Sequence, residues 1–190
     1  RGQLSSEREA ELVSALVELP EKIKEVLALD AKIKSMAELL QDARSALFLG
    51  RGSLCPIAYE GALKLKEISY IHAEGYASGE MKHGPIALID EFMPIISCAP
   101  SNYLFDKVTS NLEEARARGG KMMIFTDAAG YQEMKSSIDD ERLCVIPDCD
   151  PFVAPILYSI PLQLLAYHTA VLKGTDVDQP RNLAKSVTVE

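Results

Sequence analysis

The sequence has no excess of positive charge. Its 190 residues carry 20 Lys and Arg against 28 Asp and Glu, a formal net charge of -8. That balance argues against nucleic acid or an acidic membrane surface as the main partner. It leaves open a phosphorylated small molecule, which needs only a local positive site. Metal-ligand spacing is also missing. The four cysteines, Cys55, Cys98, Cys144 and Cys149, fit no zinc pattern, and Cys144 and Cys149 stand too loosely spaced to start one. Cys98 and Cys144 lie in apolar, strand-like runs and are expected to be core thiols in a reducing, cytoplasmic compartment. The N-terminal stretch does not read as a signal peptide, so none is expected, and the sequence has no complete dinucleotide fingerprint and no P-loop. The chain starts at Arg1-Gly2-Gln3-Leu4 without methionine and leads directly into a helical pattern, so it is expected to be a fragment of something longer.

What is present is the composition of one globular domain: 47% hydrophobic and 25% charged residues, enough to bury a real core. The N-terminal third reads as helices. Leu12, Val13, Leu16, Val17 and Leu19 recur at helical spacing from about Ser6 onward. Pro20 is expected to separate a first helix from a second, Glu21 to Ala28. Asp30 is expected to cap a third, Ala31 to Gln41.

Four apolar runs follow: Ala46 to Leu49, Met93 to Ala99, Lys121 to Thr126 and Arg142 to Ile146. Each is nearly continuous rather than alternating, and helical patterns lie between them. This predicts a parallel sheet covered on both faces, an α/β three-layer αβα sandwich with an open sheet. Ligands of such sheets sit beyond the carboxyl ends of the strands. The turns Gly50 to Ser53, Ala99 to Ser101 and Thr126-Asp127 should share that edge. Pro151 to Leu172 is apolar nearly all round, so the helix it predicts is buried in the core or against a partner chain. Gln163 and His168 interrupt it, which favours a subunit interface over a membrane span. The tail, Thr175 to Glu190, is polar. Its composition favours a frayed terminus, and the rival is a segment that folds over a site and delivers Arg181, Asn182 or Lys185.

The chemistry concentrates between Leu47 and Leu88. A strand, a turn at Gly50-Arg51-Gly52-Ser53 and a long helical pattern to Ile71 follow one another, an arrangement that binds anions at a helix N-terminus. Two glycines there are weak evidence. Glu60, Lys64 and Glu67 project from one face of that helix. They are either exposed ion pairs or an acid–base set. The broad apolar surface of Ile57, Leu63, Leu65, Ile68 and Ile71 implies partial desolvation, which would move their pKa values toward neutrality. His168 is expected to be a satisfied core histidine, and His72 to cap its helix. His83 sits in a polar loop, Ser78 to Pro85, where functional groups tend to lie.

The run from Glu60 to Glu74 (EGALKLKEISYIHAE), the segment Gly79 to Pro85 (GEMKHGP) and the ending Gly174 to Glu190 (GTDVDQPRNLAKSVTVE) strongly resemble the sugar isomerase (SIS) domain of the glucosamine-6-phosphate synthase family. The resemblance covers essentially the whole chain and implies a SIS-type fold, flavodoxin- or Rossmann-like. It implies a helical segment at 1–42, a SIS domain at 43–174 and a tail at 175–190 that closes the active site. Family enzymes convert fructose 6-phosphate and glutamine to glucosamine 6-phosphate and glutamate without metal or nucleotide cofactor. By this likeness Glu67 moves a proton between C1 and C2, and Lys64 assists at the C1 oxygen. His83 opens the sugar ring in the site of a neighbouring subunit of a homodimer. Lys185 contacts or forms an imine with the C2 carbonyl, and Ala184 lies beside the sugar. Two departures stand out. The glutaminase half, with its N-terminal Cys nucleophile, has no counterpart here, and neither does the Ser/Thr-rich phosphate loop of the first isomerase half. The chain alone is therefore expected to be poorly active. The alternative is a non-catalytic sugar-phosphate binding or dimerisation module. No nucleic acid and no membrane are expected as partners.

Overall fold

The computed structural model describes residues 2–182. Two helices lead, α1 (Ser6–Leu27) and α2 (Asp30–Glu38). Then come β1 (Ser45–Gly50), α3 (Cys55–Ser69), β2 (His72–Ala77), β3 (Pro94–Cys98), α4 (Phe105–Arg116), β4 (Lys121–Thr126), α5 (Ala128–Met134), β5 (Leu143–Val145) and α6 (Ala154–Leu172). The five strands form one sheet of order β2-β1-β3-β4-β5, with every pair parallel. This is the open αβα sandwich that the apolar runs predict.

Side chains alternate across the sheet and build two cores. Phe48, Ile96, Cys98, Met123 and Phe125 face α1, α2, α3 and α6. Leu47, Leu49, Ile95, Met122 and Ile124 face α4 and α5 through Val108, Leu112, Ala115 and Met134. The tightest seam holds α3 between β1 and α6. A Cβ on Gly61 would stand 2.7 Å from Leu162 Cδ1 and 2.9 Å from the Phe48 ring, so any side chain there would force its neighbours to shift.

Four expectations need correction. First, the sheet has five strands, not four. β2 (HAEGYA) carries small and polar residues because it is an edge strand, tied to β1 by its backbone from Ser45↔His72 to Gly50↔Ala77. Second, α1 runs unbroken through Pro20. The missing N–H orphans the carbonyl of Leu16, which is 46% exposed, so water can serve it. Third, Asp30 is the first residue of α2 rather than its cap. Its carboxylate accepts a hydrogen bond from His168 Nε2 on α6 at 2.6 Å, so His168 is the satisfied buried histidine the sequence suggests. Fourth, the apolar circumference of α6 is covered largely by α1, α2 and α3 of the same chain. By length and composition α6 could cross a membrane, and half of that stretch is buried inside the fold. Ile156, Tyr167 and Val171 remain as an exposed stripe.

Candidate functional site

From the carboxyl end of β1 the chain turns at Gly50. The turn is tight: a Cβ on Gly50 would lie 2.2 Å from the Leu54 carbonyl oxygen. α3 then runs back antiparallel to β1, which carries its last turn to the amino edge of the sheet. Lys64 and Glu67 occupy that last part. Lys64 Nζ donates to Glu67 Oε2 at 2.8 Å, and Glu60 Oε1 lies 4.0 Å from the same ammonium. The side chains are about one-third exposed for Lys64 (35%) and less for Glu67 (24%). The hydrogen bond that Lys64 donates to Glu67 raises the Lys64 pKa above the ordinary lysine value, outweighing burial. The expected drift toward neutrality is thus reversed for Lys64. The pair makes it a lasting cation, and Glu67 receives its proton-donor neighbour at hydrogen-bond distance.

α3 stops at Tyr70, which adopts a left-handed conformation (φ 61°) as its C-cap. The chain leaving α6 returns to this same spot. Thr175 Oγ1 lies 2.6 Å from the Ile68 carbonyl oxygen and 3.0 Å from that of Ala170. Asp176 Oδ1 accepts from the N–H groups of Asp178 and Gln179. The Arg181 N–H then donates to the Tyr70 hydroxyl at 2.9 Å, and its guanidinium sits 4.1 Å above the Tyr70 ring. The described tail is therefore docked at the Glu67 end of α3 rather than frayed. Among the described residues of the tail, polar groups make the contact. Ala184 and Lys185 lie outside the described residues.

His83 is elsewhere. It ends a 3₁₀ segment, Ser78–His83, that follows β2 at the carboxyl edge, where Ala77 pairs with Gly50. Its side chain is 75% exposed, with Nε2 3.9 Å from Glu80 Oε2. Glu67 lies twelve residues along α3 from Cys55, roughly 18 Å at helical rise. One chain therefore holds Glu67 and His83 at opposite edges of its sheet. His72 caps nothing: it opens β2, 76% exposed, beside Glu74 at 3.4 Å.

At the turn after β1, the Arg51 guanidinium donates to Asn111 Oδ1 at 3.1 Å. Along the same edge, Asp127 Oδ2 accepts from the Ser101 N–H and hydroxyl at 2.7 and 2.8 Å, and Oδ1 accepts from the Gly130 N–H at 2.9 Å. The cysteines are free. Burial pushes the Cys144 thiol up to about 12 and Cys98 higher still, so both are inert core thiols. Sequence reasoning missed Tyr70 and Thr175. Neither a left-handed tyrosine nor a threonine bonded to a helix carbonyl leaves a periodic signal.

The SIS domain family matches residues 39–173. Over all 190 residues the chain is 57% identical to the glutamine–fructose-6-phosphate aminotransferase (isomerizing) of Gluconobacter oxydans, covering 31% of that protein. Over 187 residues it is 58% identical to the enzyme of the same name from Shewanella oneidensis, covering 30% of it. The chain thus spans about a third of the length of the curated relatives it matches. Among solved structures, the C-terminal domain of glucosamine-fructose-6-phosphate aminotransferase from Francisella tularensis superposes with a TM-score of 0.88 at 47% identity, over 93% of this chain and 49% of that one. The sugar isomerase domain of an RpiR transcription factor from Sphaerobacter thermophilus shares the fold alone, at TM-score 0.66 and 19% identity, over 85% of this chain and 90% of that one.

Proposed function

The chain belongs to the SIS domain family, and on that premise we propose that it is the C-terminal isomerase half of a glutamine–fructose-6-phosphate aminotransferase. The observation that carries the reading is the Lys64–Glu67 pair with the chain's own tail docked one turn away. Ketose–aldose isomerisation needs a carboxylate over C1–C2, an electrophile at the carbonyl and an acid or base for ring opening. Glu67 is the base that carries the proton between C1 and C2. Lys64, kept charged by Glu67, stabilises negative charge at the C1 oxygen. Thr175 and Arg181 start the tail toward this pair, and Lys185, four residues beyond Arg181, meets the C2 carbonyl with Ala184 against the sugar.

His83 acts in the site of a second copy, a role supported by its distance from Glu67 within one chain. Residues 43–174 form the isomerase unit, 1–42 brace it and 175–190 close it. The phosphate grip comes from the remaining two thirds of the relatives' length, which also supplies ammonia from glutamine. The whole protein then makes glucosamine 6-phosphate and glutamate from fructose 6-phosphate and glutamine, and free core thiols fit a cytoplasmic setting.

The test is Glu67→Gln in the full-length protein, assayed for conversion of fructose 6-phosphate to glucose 6-phosphate. A loss of about 10²–10⁴ in kcat is expected for removal of a general base. Retained isomerisation would overturn the assignment and leave a binding or dimerisation module.

A further inference from the structure

A cavity of about 410 Å³ opens at the carboxyl edge, across the sheet from the Lys64–Glu67 end, between the loops after β3, β4 and β5 and the start of α6. Pro100, Pro147, Pro151 and Ala154 give it an apolar wall, and Ser101, Asp127 and Asp148 give it polar groups. Its size is that of a small-molecule pocket. Tyr158 lines it, 1% exposed, and the Tyr158 hydroxyl has no hydrogen-bond partner among the described residues. A buried hydroxyl left unbonded is costly and rare. Burial first, then Asp127, the Cys98 and Cys149 thiols and Asp148, raise the Tyr158 pKa well above the phenol value. The raised value keeps the hydroxyl protonated, a donor with no acceptor among the described residues.

The charge of the lining decides the ligand class. Asp127 is committed to Ser101 and Gly130. The Asp148 carboxylate is exposed and forms no ion pair among the described residues, and Lys22 donates to the Asp148 backbone oxygen instead. No Lys or Arg lines the cavity. A phosphate would meet two carboxylates with no cation to offset them.

We propose that this cavity is a second ligand site, taking an amine-bearing sugar without a phosphate. The ring lies on the proline wall, a ring or hydroxyl oxygen accepts from Tyr158, and the ammonium pairs with Asp148. The site is separate from the Lys64–Glu67 pair, so the two readings stand or fall independently.

Titration of glucosamine, glucose and glucosamine 6-phosphate onto the 190-residue chain, followed by NMR chemical shifts, tests it. Glucosamine should saturate, moving resonances of 100–103 and 147–158, with glucose and glucosamine 6-phosphate weaker. Asp148→Asn, a surface change, should weaken glucosamine about 10-fold and reduce its preference over glucose. Tyr158→Phe should weaken both sugars about 5-fold. Glu67→Gln should change neither. Absence of saturable glucosamine binding, tighter binding of the phosphorylated sugar, or affinity unchanged in both cavity variants would overturn the proposal. Tyr158 would then be an internal hydroxyl served by water.

Discussion

The backbone N–H of Arg181 donates to the Tyr70 hydroxyl, and the Arg181 guanidinium covers the same ring at 4.1 Å. One side chain thus holds the returning tail twice, directly after the helix that carries Glu67. Tyr70→Phe removes the acceptor and keeps the ring. In the full-length protein this change should lower isomerase kcat about 5-fold, the scale of one hydrogen bond, with the thermal midpoint nearly unchanged. Arg181→Ala should cost more, since it also removes the cation over the ring. Turnover equal to wild type in both would mean that the tail is positioned by other contacts.

A second expectation concerns pH. The Lys64 pKa is raised chiefly by its hydrogen bond to Glu67. A raised cationic pKa contributes stability that is fully present below the unfolded-state lysine value and is lost as pH climbs through the folded value. Both groups are partly exposed, so the contribution is about 0.3–0.5 kcal/mol. Urea midpoints of wild type and Lys64→Met should therefore differ slightly at neutral pH and converge above the lysine range. A gap that widens with rising pH would reverse the sign and reject the pairing.

Asp30 and His168 join α2 to α6 at 2.6 Å. The ring is buried and the carboxylate side chain is half exposed, at 9% and 53%. Removing the carboxylate leaves a buried ring nitrogen unpaired, a loss of about 1 kcal/mol with water partly compensating. Asp30→Ala should show it as a lowered urea midpoint with an unchanged slope. His168→Leu in the same background should recover part of the loss, because no polar atom is then left to satisfy.

The same residues mark where the sequence was readable. The strands Ser45–Gly50 and Lys121–Thr126 are near-continuous apolar runs, and burial on both faces of a parallel sheet demands such runs. β2 escaped because an edge strand needs backbone partners more than side-chain packing, and HAEGYA has little to pack. Pro20 misled because the rule for helix interiors assumes a buried carbonyl four residues back, whereas Leu16 is exposed. Glu67 and Lys64 were legible as a helical face. The dock for the tail was not, since it joins residues more than a hundred positions apart through a hydroxyl and a left-handed backbone.

Gly61 tests how firmly α3 is seated. A Cβ there would meet Leu162 Cδ1 at 2.7 Å and Phe48 at 2.9 Å, both buried. Gly61→Ala should raise helix propensity, yet overpacking costs about 1–3 kcal/mol and should win. A lowered thermal midpoint is expected. Leu162→Ala, which on its own should cost about 2–5 kcal/mol, should cost less in the Gly61→Ala background because it makes room, a non-additivity that only contact can produce.

His83 and Glu67 sit at opposite edges of one sheet, and complementation between copies decides whether they serve one site. Full-length subunits carrying Glu67→Gln and subunits carrying His83→Ala are each expected to lose most isomerase activity. Let them be co-expressed so that dimers form at random. If His83 serves its neighbour's site, every mixed dimer holds one site with both defects and one intact site. Activity should then recover to about a quarter of wild type, since half the dimers are mixed and each has one working site. If each His83 serves its own chain, both sites of a mixed dimer are broken and nothing recovers. The placement of His83 at the carboxyl edge, with α3 carrying Glu67 roughly 18 Å from its own start at that edge, favours the first result. Failure to recover, with mixed dimers demonstrated by differential tags, would place His83 outside its neighbour's site.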